Sequence, residues 1–231
     1  MKNLLIFFLL FSTFSAPAAS ALMDLEQVLE DNGGSEKYRA LMQELIQLVD
    51  TAKTEASIMR AANTFERIAV AETDEWLPGY YAAYCYLNLA MATKDLDRVD
   101  PYRDKALHLI NSVGEIEGAD ESELLCLASL AATSGLRVDM FARGLEYSAQ
   151  AESLLRAAGE ANPENPRVAY LQARLIIGRP KQFGGGLQAG LPTLRLAAQK
   201  FAENPHPSAS LLPDWGRKRT VEILEAVAAE G

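Results

Sequence analysis

Apolar residues recur every three to four positions along most of this chain, and short polar or glycine- and proline-marked breaks separate the runs. That spacing predicts amphipathic helices and gives no strand signal. Tyr38, Leu41, Met42, Leu45, Leu48 and Val49 mark a first helix; Ile58, Ala61, Ala62, Phe65, Ile68 and Ala69 mark a second, antiparallel to it across a short turn. Trp76-Leu77-Pro78 opens a third helix, Gly79 to about Thr93. Asp100-Pro101 reads as N-cap and first position of a helix to Val113. Asp120 with Glu123 reads as a capping box for a helix that runs to Thr133 and stops at Gly135. Leu145, Ala149, Glu152 and Leu155 to Ala158 form another helix before Gly159. Asn165-Pro166 starts a helix that carries Val168, Leu171, Leu175 and Ile176 and ends near Ile177, where Gly178 and Pro180 stop it. Leu187, Leu191, Leu194, Ala197, Ala198 and Phe201 form the next stripe. Pro192 opposes the carbonyl of Gln188, which predicts a kink or a start no earlier than about Gln188. Pro213-Asp214-Trp215 begins a last helix through Ala228, which caps the stack.

Eight or nine helices in pairs have a period. Cys85 to Cys126 spans 41 residues, and Pro78 to Pro163 spans 85, close to twice that. Pairs repeated at such a period bury their apolar faces by stacking on the next pair, which predicts an all-α protein, an α-solenoid of antiparallel helix pairs. The run Ala61, Phe65, Ala69 and Pro78 favours a tetratricopeptide-repeat-like unit over a HEAT-like one.

Composition adds the compartment. Met1 to Ala21 carries Lys2, an apolar run from Leu4 to Phe14 and a small-residue site Ala19-Ser20-Ala21, the physics of a cleaved signal peptide. Residues 22–34 form a segment of their own before Asn32-Gly33-Gly34 breaks it from the repeat domain, residues 35–231. No later stretch is long and apolar enough to span a bilayer. Cleavage removes one lysine and no acid, so a formal charge of -9 becomes -10 and disfavours a nucleic-acid partner. Cys85 and Cys126 sit inside apolar helical runs and read as two buried thiols at equivalent positions of neighbouring repeats, although an oxidising compartment would permit a bridge.

The segments Phe65-Glu66-Arg67-Ile68-Ala69, Glu75-Trp76-Leu77-Pro78 with Tyr80-Tyr81-Ala82-Ala83-Tyr84-Cys85-Tyr86, Asn162-Pro163, Asn165-Pro166-Arg167, Phe183-Gly184-Gly185-Gly186 and Pro213-Asp214-Trp215-Gly216 resemble the landmarks of a family of secreted tetratricopeptide-repeat-like proteins of Gram-negative bacteria. The resemblance covers the chain from about Tyr38 onward; it implies the fold and export and carries no activity. The Pro-x-x-Phe-Gly-Gly turn is also similar to one in the tetratricopeptide component that accompanies some periplasmic solute transporters.

No catalytic constellation emerges. His108 and His206 lack metal-ligand spacing, and the acids Glu115, Glu117, Asp120, Glu121 and Glu123 read as a solvated run at a helix start. No cofactor and no metal site is expected, and the chain is expected not to be an enzyme. Arg167, Tyr170 and Arg174 are spaced i, i+3 and i+7 on one helix face; in a tetratricopeptide register that face lines a concave groove, with Tyr86 at a comparable position two units earlier. Such a face suits an acidic or C-terminal peptide segment, while the alternative is internal pairing of the arginines and core packing of the tyrosines. Tyr80, Tyr81 and Tyr84 read as core, and Trp76 and Trp215 as core or cap. Gly184, Gly185 and Gly186 before a helix could cradle an anion, or could serve positive φ and close helix approach. Two functions follow as expectations: an exported binder of a protein or peptide partner through the concave face, or a periplasmic small-solute-binding component of a transporter, with Phe183, the glycines and Arg174 around an anionic solute.

Overall fold

A computed structural model of the protein describes residues 34–52, 54–205 and 210–230. The expected signal peptide, the segment before Gly34 and His206 lie outside the described residues. The chain divides at Tyr38 into two units; Gly34–Tyr38, all that is described of the first, is helical, and the second starts at Arg39.

Among the described residues there are nine α-helices and no strand: α1 (Gly34–Thr51), α2 (Glu55–Ala71), α3 (Trp76–Ala92), α4 (Val99–Val113), α5 (Glu121–Gly135), α6 (Met140–Ala161), α7 (Pro166–Gly178), α8 (Leu187–Glu203) and α9 (Arg217–Glu230). Local chemistry sets most starts. The side chains of Thr54, Asp120, Asp139 and Asn165 each accept a backbone N–H of the first turn of α2, α5, α6 and α7. The start of α4 falls two residues before the one predicted at Pro101. Asp95 caps a single 3-10 turn, Leu96–Arg98, that runs straight into α4, so Asp100 and Pro101 lie inside its first turn. Likewise α6 continues through Gly159, where a side chain would stand 3.6 Å from Val168 of α7. The α8 helix starts at Leu187 and runs through Pro192; the carbonyl that proline leaves without an intrahelical donor belongs to Gln188, an exposed residue that water can serve.

Helices α3, α5 and α7 lie side by side as an inner layer. Each packs against the helix that follows it, α4, α6 and α8, and α2 covers α3 from the other side. This is the expected solenoid of antiparallel pairs, with α9 packed on α8 as its cap. The inner helices start at Trp76, Glu121 and Pro166, each 45 residues after the last, so the period is longer than the cysteines suggested. Cys85 and Cys126 are therefore one helical turn out of register; both are buried free thiols. Burial pushes both thiols well above their ordinary pKa. The core is continuous through the pairs, with Phe65, Tyr80, Leu87, Leu127, Leu155, Leu194 and Phe201 all fully buried.

The glycine turn between α7 and α8 is structural. Gly184 and Gly186 have φ of 77° and 101°, and a side chain at Gly185 would overlap the Arg179 carbonyl. Their three N–H groups donate to the carbonyls of Lys181, Pro180 and Ile176, so none is left to cradle an anion, which corrects that reading of the turn. Gly144, inside α6, has open space where a side chain would go. Gly144→Ala is expected to stabilise the protein by about 0.5–1 kcal/mol, and Gly185→Ala to destabilise it by more than that; thermal melts of the two variants should move in opposite directions.

Candidate functional site

The segment after α8 does not enter a helix at Pro213. Gly216 takes φ of 92°, a left-handed turn that interrupts helical geometry, so α9 begins only at Arg217. Leu211 to Gly216 instead form a strap across the N-terminal halves of the inner helices. The Tyr81 hydroxyl donates to the Leu211 carbonyl at 2.9 Å, Arg167 Nη1 to the Pro213 carbonyl at 2.7 Å, and Trp215 Nε1 to the Tyr80 hydroxyl at 2.7 Å. The Trp215 ring stacks on Tyr84 with centroids 4.9 Å apart and meets Tyr170 edge-on at 6.2 Å. A side chain on Gly216 would stand 2.9 Å from the Tyr170 ring, so the close approach also demands glycine.

Under the strap lies a buried polar network that ties the inner helices together. Glu123 of α5, its side chain 4% exposed, pairs with Arg167 of α7 through Nε and Nη2 and accepts the Tyr80 hydroxyl at 2.7 Å and Asn165 Nδ2 at 2.8 Å. Asn165 also donates to Ser122, whose hydroxyl donates to the Ala158 carbonyl, and its own Oδ1 caps the Arg167 N–H. Burial, reinforced by the Glu123 charge, raises the Tyr80 hydroxyl well above its ordinary pKa, so it stays a donor. Among the described residues no buried side-chain polar atom is left without a partner. Arg167 is therefore a structural residue rather than a groove contact, because its guanidinium is spent on Glu123 and Pro213. Glu123, read from sequence as one of a solvated run, caps nothing with its side chain; only the Asp120 half of the capping box forms.

The other proposed contacts divide. Tyr170 is 5% exposed and packed on Trp215, with only its hydroxyl engaged outward, by Arg174 Nη1 at 2.8 Å. Arg174 is exposed, with its guanidinium carbon 5.7 Å from the Tyr170 ring centroid, and it has no carboxylate partner among the described residues. Tyr86 does not face the inner surface. It donates to Glu66 of α2 at 2.7 Å and lies near Tyr102 of α4. With a repeat of 45, the counterpart of Arg174 two units earlier is Tyr84, and Tyr84 is partly exposed in the cluster around Trp215. Phe183 stands 68% exposed on the glycine turn. The arrangement thus gathers Tyr84, Trp215, Tyr170 and Arg174, from α3, the strap and α7, into one aromatic cluster in which Trp215 and Tyr170 are buried, Tyr84 is partly exposed and Arg174 is the exposed cation at its edge.

Two recesses lie elsewhere. One of about 460 Å³ lies between the start of α2 and the end of α3 and is lined by Thr54, Glu55, Lys94, Asp95 and Arg98; the other, of about 220 Å³, lies at the helix starts beside Asp120, Asn165 and Pro213. Both have mixed polar and apolar walls, and neither is lined by an aromatic cluster. Among the described residues the most exposed large apolar side chains are Phe141, Leu145 and Val70. His108 is exposed, and no group of three or more metal-ligating side chains occurs among the described residues. No helix among those residues is long and apolar enough to cross a membrane.

No family model and no curated protein matches the sequence. Among solved structures, the HusA haemophore from Porphyromonas gingivalis superposes with a TM-score of 0.73 at 30% identity, over 87% of this chain and 96% of that one. At that identity across nearly the whole of both chains, this chain belongs to the family of the HusA haemophore.

Proposed function

We propose that this chain is an exported, non-enzymatic carrier of a haem-type tetrapyrrole, bound on the inner layer beside the strap. The observation that carries this reading is the aromatic face of Tyr84, Trp215 and Tyr170 with Arg174 at its edge, in a chain whose relative is named a haemophore. A tetrapyrrole is a flat apolar ring with carboxylates at one edge. Aromatic side chains offer it stacking surface, and a guanidinium offers a carboxylate a charge-assisted partner.

Two occupants were expected, a peptide along the stripe of Arg167, Tyr170 and Arg174, or a small anionic solute near Phe183, the glycines and Arg174. The strap supports the second, because Leu211 to Gly216 already occupy the part of the inner layer that an extended peptide would need. The landmark segments that suggested a secreted family agree with an exported carrier.

Titration of the protein with haemin tests the proposal. Binding at micromolar concentration or tighter should shift the haem Soret band, and it should quench tryptophan fluorescence, since Trp215 belongs to the face itself. A Soret band and an emission both unchanged through excess haemin would end this reading.

A further inference from the structure

The second inference rests on the tetrapyrrole reading and concerns how the ligand is oriented. Arg174 differs from the other arginines of the inner layer and its surroundings. Arg167 is spent on Glu123, and Arg217 pairs with Asp214 while also donating to the Phe201 and Asn204 carbonyls. Arg103 and Arg143 converge on Asp100. Arg174 has one polar contact, Nη1 to the Tyr170 hydroxyl. Its Nε and Nη2 edge, the side of the fork that matches a carboxylate, meets no acceptor among the described residues.

The Tyr170 hydroxyl does more than share that contact. The ring is fixed by Trp215 on one side and by the close backbone of Gly216 on another, so its oxygen has a defined place. A long side chain that would otherwise sample many rotamers is thereby held along the aromatic face, with its free edge pointing away from the hydroxyl. Pre-organisation of this kind lowers the ordering cost of binding.

We infer that Arg174 takes a carboxylate of the bound tetrapyrrole in a two-pronged ion pair, and that Tyr170 is the positioning residue that holds the guanidinium for it. The ring then lies over the partly exposed Tyr84, at the rim of the Trp215 cluster, with its acidic edge towards the C-terminal half of α7.

The test pairs haemin with haemin dimethyl ester, in which both carboxylates are masked, and follows the Soret band of each against the full chain. Arg174→Gln, an exposed change expected to leave the melting temperature in place, should weaken haemin binding by about tenfold and leave the ester unaffected. Arg174→Lys should restore part of the loss, and Tyr170→Phe, which keeps the ring and removes the hydroxyl, should give an intermediate loss for haemin alone. Equal haemin affinity in the wild type and Arg174→Gln, or an equal loss for acid and ester, would overturn the assignment while leaving the carrier reading intact. A wild-type protein that binds neither compound would refute the carrier reading and this inference with it.

Discussion

Arg167→Ala is expected to destabilise the protein by about 3–5 kcal/mol, the cost of leaving a buried charge without its partner. For a chain of this length that is a fall in melting temperature on the order of 10 °C. The reason lies in what remains. Glu123 would keep the Tyr80 hydroxyl and Asn165 amide as donors but would lose the cation paired with its buried carboxylate, and the strap would lose its tie at Pro213. The pair is not favourable simply because it is an ion pair, since desolvating two charges offsets most of their attraction. Arg167→Met combined with Glu123→Gln, which removes both charges and keeps volume and a hydrogen-bonding group at position 123, should therefore recover about half of the loss. Melting curves of the three proteins decide the point, and an Arg167→Ala variant as stable as the wild type would mean that the network contributes nothing to the fold.

How much of this was legible in the sequence depends on how local the determinant is. The α7 helix could be read to within a residue because Asn165, Pro166 and Gly178 act on the backbone next to them. The glycine turn was legible for the same reason, since positive φ is a local demand. The start of α4 slipped because a 3-10 turn begun by Asp95 feeds into it, and a helix was expected at Pro213 because Pro-Asp-Trp looks like a helix opening. Gly216 interrupts that opening with a left-handed φ, and the ring that leaves no room for a side chain there, Tyr170, lies 46 positions earlier in the chain. The spacing of Arg167, Tyr170 and Arg174 could be read from the sequence, but which of them meets solvent depended on Glu123 and the strap. No spacing rule reaches from Trp215 back to Tyr80. An acid among other acids at a helix start gives no sign that it will be buried, because its partner is chosen by how repeats stack and not by its neighbours. Tyr86 was misplaced through the period: over two units a period of 41 in place of 45 falls eight residues short, which turns the position about 80° round the helix.

Trp215→Ala should cost a further class of energy, about 3–5 kcal/mol from lost burial and the cavity left behind. The indole is 7% exposed, stacks on Tyr84 and lies edge-on to Tyr170, so its removal uncovers both rings at once. It leaves no polar orphan, because Tyr80 still donates to Glu123 when Trp215 no longer donates to Tyr80. The loss is therefore one of packing, and Trp215→Phe, which keeps an aromatic ring against Tyr84 and gives up the Nε1 hydrogen bond, should recover most of it and fall short by about 1 kcal/mol. The strap retains its ties at Leu211 and Pro213 in both variants, so amide exchange should quicken first at residues 211–216 and only later in α3. The order matters for function. If the strap is the edge of the ligand face, haemin affinity in Trp215→Ala should fall at temperatures well below the melt, where the helices are intact, and should return in Trp215→Phe. Wild-type affinity in Trp215→Ala would place the ligand away from the strap, and exchange that quickens in α3 and in residues 211–216 together would show that the strap unfolds only with the whole domain.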